Sequence, residues 1–289
     1  MNAETNSPLL NKLYQADKWL RDELRLVGPD RIRKGIDLVK EIKSASRADA
    51  LARYFATPDR AEKILTYIEI VEFAEAFDFI RKCYGIWRRV VRNKMQNIVN
   101  GPQLITEEST DDNSNEARNK MFEFVLGARF DMVGLSVELC EPDLEILINS
   151  RRYLVACKRP FGAETVQRNI QDAEKQIIRN MDKRSDNPLG IIAISATRSI
   201  NLLGLGIPVN LDSAMKGMAS RLNGLALSHV PVLNSIQDSR VVAALFHLSA
   251  PAISQLGGLS PAQIIVEHAI PGKEHIDGEL LRLMQVAKY

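Results

Sequence analysis

The residues of this chain best suited to chemistry lie in Met121–Pro160, MFEFVLGARFDMVGLSVELCEPDLEILINSRRYLVACKRP. A carboxylate follows a proline at Pro142-Asp143, and a lysine closes the apolar run Leu154-Val155-Ala156-Cys157-Lys158. An antiparallel hairpin of these two runs brings Asp143 beside the far end of the second strand, and so beside Lys158. Side chains alternate along a strand, which puts Ala156 and Lys158 on one face and Val155 and Cys157 on the other. A lysine that ends an apolar strand opposite a carboxylate is costly unless it is paired or used. As bland roles, Asp143 is a turn acid and Lys158 a snorkelling strand-end lysine. As a functional pair they suit phosphodiester hydrolysis. Asp143 and another carboxylate would hold a divalent cation, while Lys158 steadies the attacking water or the charge developing on phosphorus. Oxygen ligands without His or Cys predict Mg²⁺ or Mn²⁺ rather than zinc.

Positioning these groups takes a particular series of elements. Ala117–Arg129 is an amphipathic helix whose acid, Glu123, sits among Phe122, Phe124, Val125 and Leu126. Two β-type runs follow, Ser136–Ile148 and Arg152–Lys158, joined by the turn Asn149-Ser150-Arg151; the first is expected to pass through Glu141-Pro142-Asp143, with ladder pairing starting at the proline. A long polar helix spans Ala163–Met181, and the short apolar run Gly190–Ala196 has the pattern of a strand buried on both faces. A helix at Leu211–Leu227, a strand at Val241–Leu248, an ambiguous segment at Gln263–Ile270 and a helix at Glu279–Val286 complete an α/β layout with a mixed sheet.

The N-terminal part reads differently. Residues 1–105 show helical periodicity, as in Leu13, Leu20 and Leu24 or Ile64, Ile68, Val71 and Ala74. Thr57-Pro58 before Asp59 predicts a helix start with Thr57 at the N-cap. The segment TEESTDDNSNE at 106–116 has no apolar residue and divides this helical domain from a second domain at 117–289.

The ordered set in the second domain resembles the PD-(D/E)XK nuclease superfamily, the restriction-endonuclease-like fold. Its motif has an acid on a first helix, Pro-Asp entering one strand and acid-x-Lys on the next. Here those positions are Glu123, Pro142-Asp143 and Ala156-Cys157-Lys158. The resemblance covers about 117–196. It implies a mixed sheet flanked by helices, metal ligands at Asp143 and Glu123, catalysis by Asp143, Glu123 and Lys158, and an active-site helix carrying Gln167 and Gln171, which lie one turn apart. The departure is Ala156, where the family places an acid. Loss of a ligating carboxylate should severely weaken metal binding. Three explanations compete: a deliberately inactivated variant, a naturally degenerate member that binds without cutting, or replacement by another acid, with Glu145 on the face of Asp143 and Glu138 earlier in that run. The first is favoured because every other element of the motif is present.

Composition sets outer limits. The 289 residues are 45% hydrophobic and 26% charged with net charge +2, so no whole-chain basic excess marks a nucleic-acid binder. Locally, Arg81–Lys94 holds Arg81, Lys82, Arg88, Arg89, Arg92 and Lys94 without an acid, interleaved with Tyr84 and Trp87. It reads equally as a phosphate-contacting helix or as a solvated face with Trp87 packed inside. Arg151 and Arg152 are further candidate phosphate contacts. The three cysteines form no CxxC pair and the four histidines no metal-ligand spacing, and the apolar runs are too short to span a membrane. A reducing cytoplasm is expected. The functional expectation is a Mg²⁺-dependent DNA nuclease inactivated at Ala156, with a non-catalytic DNA- or protein-binding adaptor as the alternative. The resemblance further implies defence against foreign DNA beside a separate helicase or ATPase subunit; a homo-oligomer is compatible with the sequence.

Overall fold

The computed structural model describes residues 7–26, 30–44, 57, 59–101, 116–200, 211–253 and 259–270. Residues 106–115 of the expected linker and the expected helix at 279–286 lie outside them. Among the described residues no helix is long and apolar enough to cross a membrane. The chain forms two compact units that are not contiguous in sequence. One comprises the described residues up to 121 with 211–215, 249–253 and 259–262; the other comprises 122–200, 216–248 and 263–270. The linear boundary at 106–116 is coarser than this division.

In the first unit, α1 (Pro8–Asp22), α2 (Asp30–Ser44) and α4 (Arg88–Asn100) pack against α3 (Arg60–Ile86). The reason is in the sequence of α3, which is apolar on several sides: Ile64, Ile68, Val71, Phe73, Phe77 and Ile80 are all buried. Helix α3 begins at Arg60 with Asp59 in the cap position, later than the Thr57 start expected from the Thr-Pro pair. Within the unit, buried Glu69 accepts from Arg31 at 2.8 Å and from Arg118, so one carboxylate balances two guanidinium groups. Glu72 accepts the hydroxyl of Ser249 at 2.6 Å.

The mixed sheet has the order β1-β2-β3-β4-β5-β6, with β1 Ser136–Leu139, β2 Leu144–Ile148, β3 Arg151–Lys158, β4 Leu189–Ser195, β5 Val241–Ile253 and β6 Leu259–Ala269. The single run expected over Ser136–Ile148 is two antiparallel strands, Leu139 opposite Leu144, folded back at Cys140–Asp143. Pro142, in a cis peptide bond with Glu141, sits in that turn and not in a ladder, where it would remove a donor. The β2–β3 hairpin turns on Asn149 and Ser150, both at positive φ, the backbone form that matches strand twist in a two-residue loop. β3, β4 and β5 run parallel, and the ambiguous segment near 263–270 is strand β6.

Helix α5 (Glu116–Met132) precedes the sheet, and α6 (Val166–Met181) follows β3 and packs on β3 and β4. Val166, Ile170, Ala173, Ile177 and Met181 form the buried stripe of α6 at helical spacing. Beneath it lies Gly190, where a Cβ would fall 2.4 Å from Ile177 Cγ2, so helix and strand meet at a distance only glycine permits. Helices α7 (Leu211–Ser228) and α8 (Val230–Asn234) lead into β5.

Candidate active site

β3 outlasts β2 at its carboxyl end. The ladder closes with Leu144 opposite Val155, which puts Asp143 opposite Ala156 one step further on. Asp143 is 3% exposed, and its Oδ2 accepts the backbone N–H of Cys157 at 2.7 Å. The carboxylate thus continues the ladder where the strand itself has ended. Ala156 is fully buried. Lys158, half-buried, donates from Nζ to Gln176 Oε1 at 2.6 Å, and Gln176 Nε2 donates to the carbonyl of Pro142 at 3.3 Å. Lysine, α6 and the turn that presents Asp143 are therefore tied together through one amide.

Gln176 is the residue that sequence reasoning missed. Gln167 is exposed and Gln171 half-buried, whereas Gln176 lies one turn from buried Ala173, at the margin of the stripe that α6 sets on the sheet. That margin was the available signal. Glu123 is buried on α5, 1% exposed, in the same compact unit as Asp143. Its apolar neighbours in sequence had pointed to that burial.

Neither acid offered as a replacement for position 156 is disposed to serve. Glu145 is buried and bound by Arg152 and Arg184, and Asp186 joins the cluster at 2.8 Å from Arg184 and 3.5 Å from Arg152. Asp186 and Glu145 hold the Arg184 proton on strongly, and the Asp186 carboxyl is correspondingly lowered. Glu138 is exposed on β1. Nearby Cys140 has its thiol pushed up to about 12, first by burial and then by the Glu145 charge, so it is no nucleophile at neutral pH. Among the described residues no three His, Cys, Asp or Glu side chains are placed to hold a metal ion. Among the described residues, alanine at 156 leaves this site short of the carboxylates that the expected divalent cation requires.

The other face of the sheet is also polar. Arg159 follows directly on the last ladder pair, Lys158–Ile194, and on the next strand Ser195 pairs with His247. Arg159, Ser195 and His247 are all buried. His247 stacks at 5.4 Å on Phe122 and is held down at a pKa of about 3, chiefly by burial and further by the Arg129 and Arg159 charges.

The basic segment of the first unit is two helices, not one. The chain breaks at Trp87 between α3 and α4, with backbone angles of −122° and 58°. Arg81, Lys82, Arg88, Arg89 and Arg92 are exposed, and Lys94 and Trp87 are half-buried. Arg88 lies 5.5 Å over Tyr84 and Arg81 5.8 Å over Phe77, while Arg92 donates to the carbonyl of Leu24 at 3.3 Å. Arg81, Lys82 and Arg88 share an open groove with two acids, Glu23 and Asp78. In the sheet unit, Arg151 is exposed at the hairpin, but Arg152 is committed to Glu145 and Asp186.

Comparison with protein-family models, curated proteins and solved structures gives no match to this chain.

Proposed function

We propose that this chain is a nuclease-type core of the PD-(D/E)XK, restriction-endonuclease-like kind that binds DNA and, with alanine at position 156, does not cut it. The observation that carries the reading is the convergence of Asp143, Ala156, Lys158 and Gln176 at the carboxyl end of β3. A buried acid, a lysine held by a helix amide and a bare methyl between them correspond to a hydrolytic site lacking one carboxylate. Exposed Arg81, Lys82, Arg88 and Arg89 supply sequence-independent phosphate contacts in this reading, which makes binding strongly salt-dependent. Asp143 and Glu123 are the remaining acids for Mg²⁺ or Mn²⁺ once position 156 carries a carboxylate. The proposed setting is defence against foreign DNA, alongside a separate ATPase.

The experiment is plasmid cleavage by the Ala156→Glu variant with Mg²⁺. Cleavage that appears with glutamate and disappears on adding Lys158→Ala or Asp143→Ala supports the nuclease core. A folded Ala156→Glu protein that binds DNA but never cuts it supports the alternative, an adaptor on a nuclease-like scaffold. That second reading draws on Glu145, whose capture by two arginines leaves the unmodified chain no ready replacement acid.

A further inference from the structure

The rim at the carboxyl ends of β3 and β4 carries a feature that the cluster around Asp143 does not use. The two strands run parallel with Lys158 beside Ile194. Shortly past Lys158 comes Phe161, and shortly past Ile194 comes Arg198. The guanidinium carbon of Arg198 lies 3.7 Å from the centroid of the Phe161 ring. The cation–ring contacts of Lys40, Arg81 and Arg88 are looser, at 5.6, 5.8 and 5.5 Å. Of these four contacts among the described residues, the Arg198 pair is the closest. Both side chains are half-buried, so the pair has a packed side and a solvent side.

Its two loops are fixed by their own hydrogen bonds. On the β3 side, Gly162 N–H donates to Thr165 Oγ1 at 3.2 Å and the Thr165 hydroxyl donates to the Gly162 carbonyl at 2.9 Å. On the β4 side, Ile200 N–H donates to the Ala196 carbonyl at 3.0 Å, and Ala196 N–H donates to the His247 carbonyl at 2.7 Å. In open α/β sheets ligands enter outside the carboxyl ends of the strands, where this pair stands.

We infer that the Phe161–Arg198 stack is a nucleotide platform beside Lys158, contacting a phosphate of the bound nucleic-acid strand. The inference rests on the nucleic-acid reading above and adds a contact point on the sheet unit itself. A guanidinium held close over a ring is weakly hydrated, and its planar fork matches phosphate oxygens. The combined ring and guanidinium surface also accepts a base by stacking, without sequence preference. Recognition of this kind positions a strand and does not read its sequence.

The test is binding of a short fluorescein-labelled DNA strand, alone and as duplex, by fluorescence anisotropy at two salt concentrations. Wild type, Arg198→Gln, Arg198→Lys and Phe161→Leu are compared, with thermal melts to show that each is folded. Arg198→Gln is expected to weaken binding about tenfold and to flatten the salt dependence by about one phosphate contact. Phe161→Leu and Arg198→Lys, which keep the charge but lose the stack, are expected to weaken binding while the salt slope stays near that of wild type. Wild-type affinity in a folded Arg198→Gln overturns the platform. Should that variant fail to fold, wild-type affinity in both Arg198→Lys and Phe161→Leu overturns it. A wild-type protein that binds neither strand nor duplex overturns the nucleic-acid reading beneath it, a result distinguishable because it precedes any variant.

Discussion

The Asp143 carboxylate accepts the Cys157 backbone N–H at 2.7 Å, at the point where β3 has run past the end of β2. Both residues are buried, so the amide has no ready access to water. One side chain therefore serves the fold as well as any chemistry. Asp143→Ala should cost about 1–3 kcal/mol by stranding that N–H. Asp143→Asn keeps an acceptor and should lose less. Urea unfolding of the two variants checks the order, and equal losses would remove the ladder role.

Position 156 should report on metal through stability. Without a cation, Ala156→Glu places a second carboxylate opposite Asp143 in a buried site, and the variant should melt below wild type. With Mg²⁺ at about a hundred times its dissociation constant, the variant's Tm should rise by about 5 °C, while the wild-type Tm stays put. Calorimetry with and without the ion decides. A rise in wild type of the same size would show that position 156 is not the missing ligand.

Gln176 should matter only where Lys158 does. In an Ala156→Glu background that cuts DNA, Gln176→Leu removes the acceptor that holds Nζ and the donor that reaches Pro142. Cleavage should fall about tenfold, with binding of uncut DNA in Ca²⁺ little changed. A matched fall in binding would assign Gln176 to substrate contact instead of positioning.

One buried carboxylate of the helical unit, Glu69, is a specific stability test. Glu69 pairs with Arg31 and Arg118, and its removal takes a carboxylate from a buried guanidinium, Arg118, and from a half-buried one, Arg31. Glu69→Ala should cost about 3–5 kcal/mol, with Glu69→Gln intermediate because the amide oxygen can still accept. Denaturant titration monitored by far-UV circular dichroism measures both.

His247 should impose an acid limit on stability. Its folded-state pKa of about 3 lies below the ordinary value of 6.5, so the unfolded chain takes up the proton first as pH falls. The contribution is complete above about pH 6.5 and is lost as pH drops from there toward 3. Within that window it amounts to about 1.4 kcal/mol per pH unit. His247→Gln should remove this slope from the pH dependence of unfolding between pH 6 and 4. An unchanged slope would mean that other groups carry it.

Much of this architecture was legible because burial leaves a pattern in the chain. The continuous apolar run that became β4 and the helical spacing of α6 translated directly, as did the hairpin joining β2 to β3. What escaped were features set by tertiary geometry. The run containing Glu141-Pro142-Asp143 reads as one strand because both halves are apolar, and only pairing across the turn separates them. The basic run broke at Trp87 although nothing there is proline. At the site, Asp143, Ala156 and Lys158 followed from hairpin register, but Gln176 did not. Its role depends on which edge of α6 overhangs the end of β3, and that is fixed by packing on β4, not by glutamine spacing. Arg152 looked like a phosphate contact because its commitment to Glu145 across the hairpin, and to Asp186 much later in the chain, shows only once the strands are paired.

The clearance under Ile177 bears on how the lysine can be adjusted. With no side chain at Gly190, α6 seats directly on β4, and the amide of Gln176 is carried on that seat. The reach of Lys158 is therefore set in part by a contact beneath the helix: a bulkier residue at position 190 would retune the site by lifting α6, without touching a single group in it.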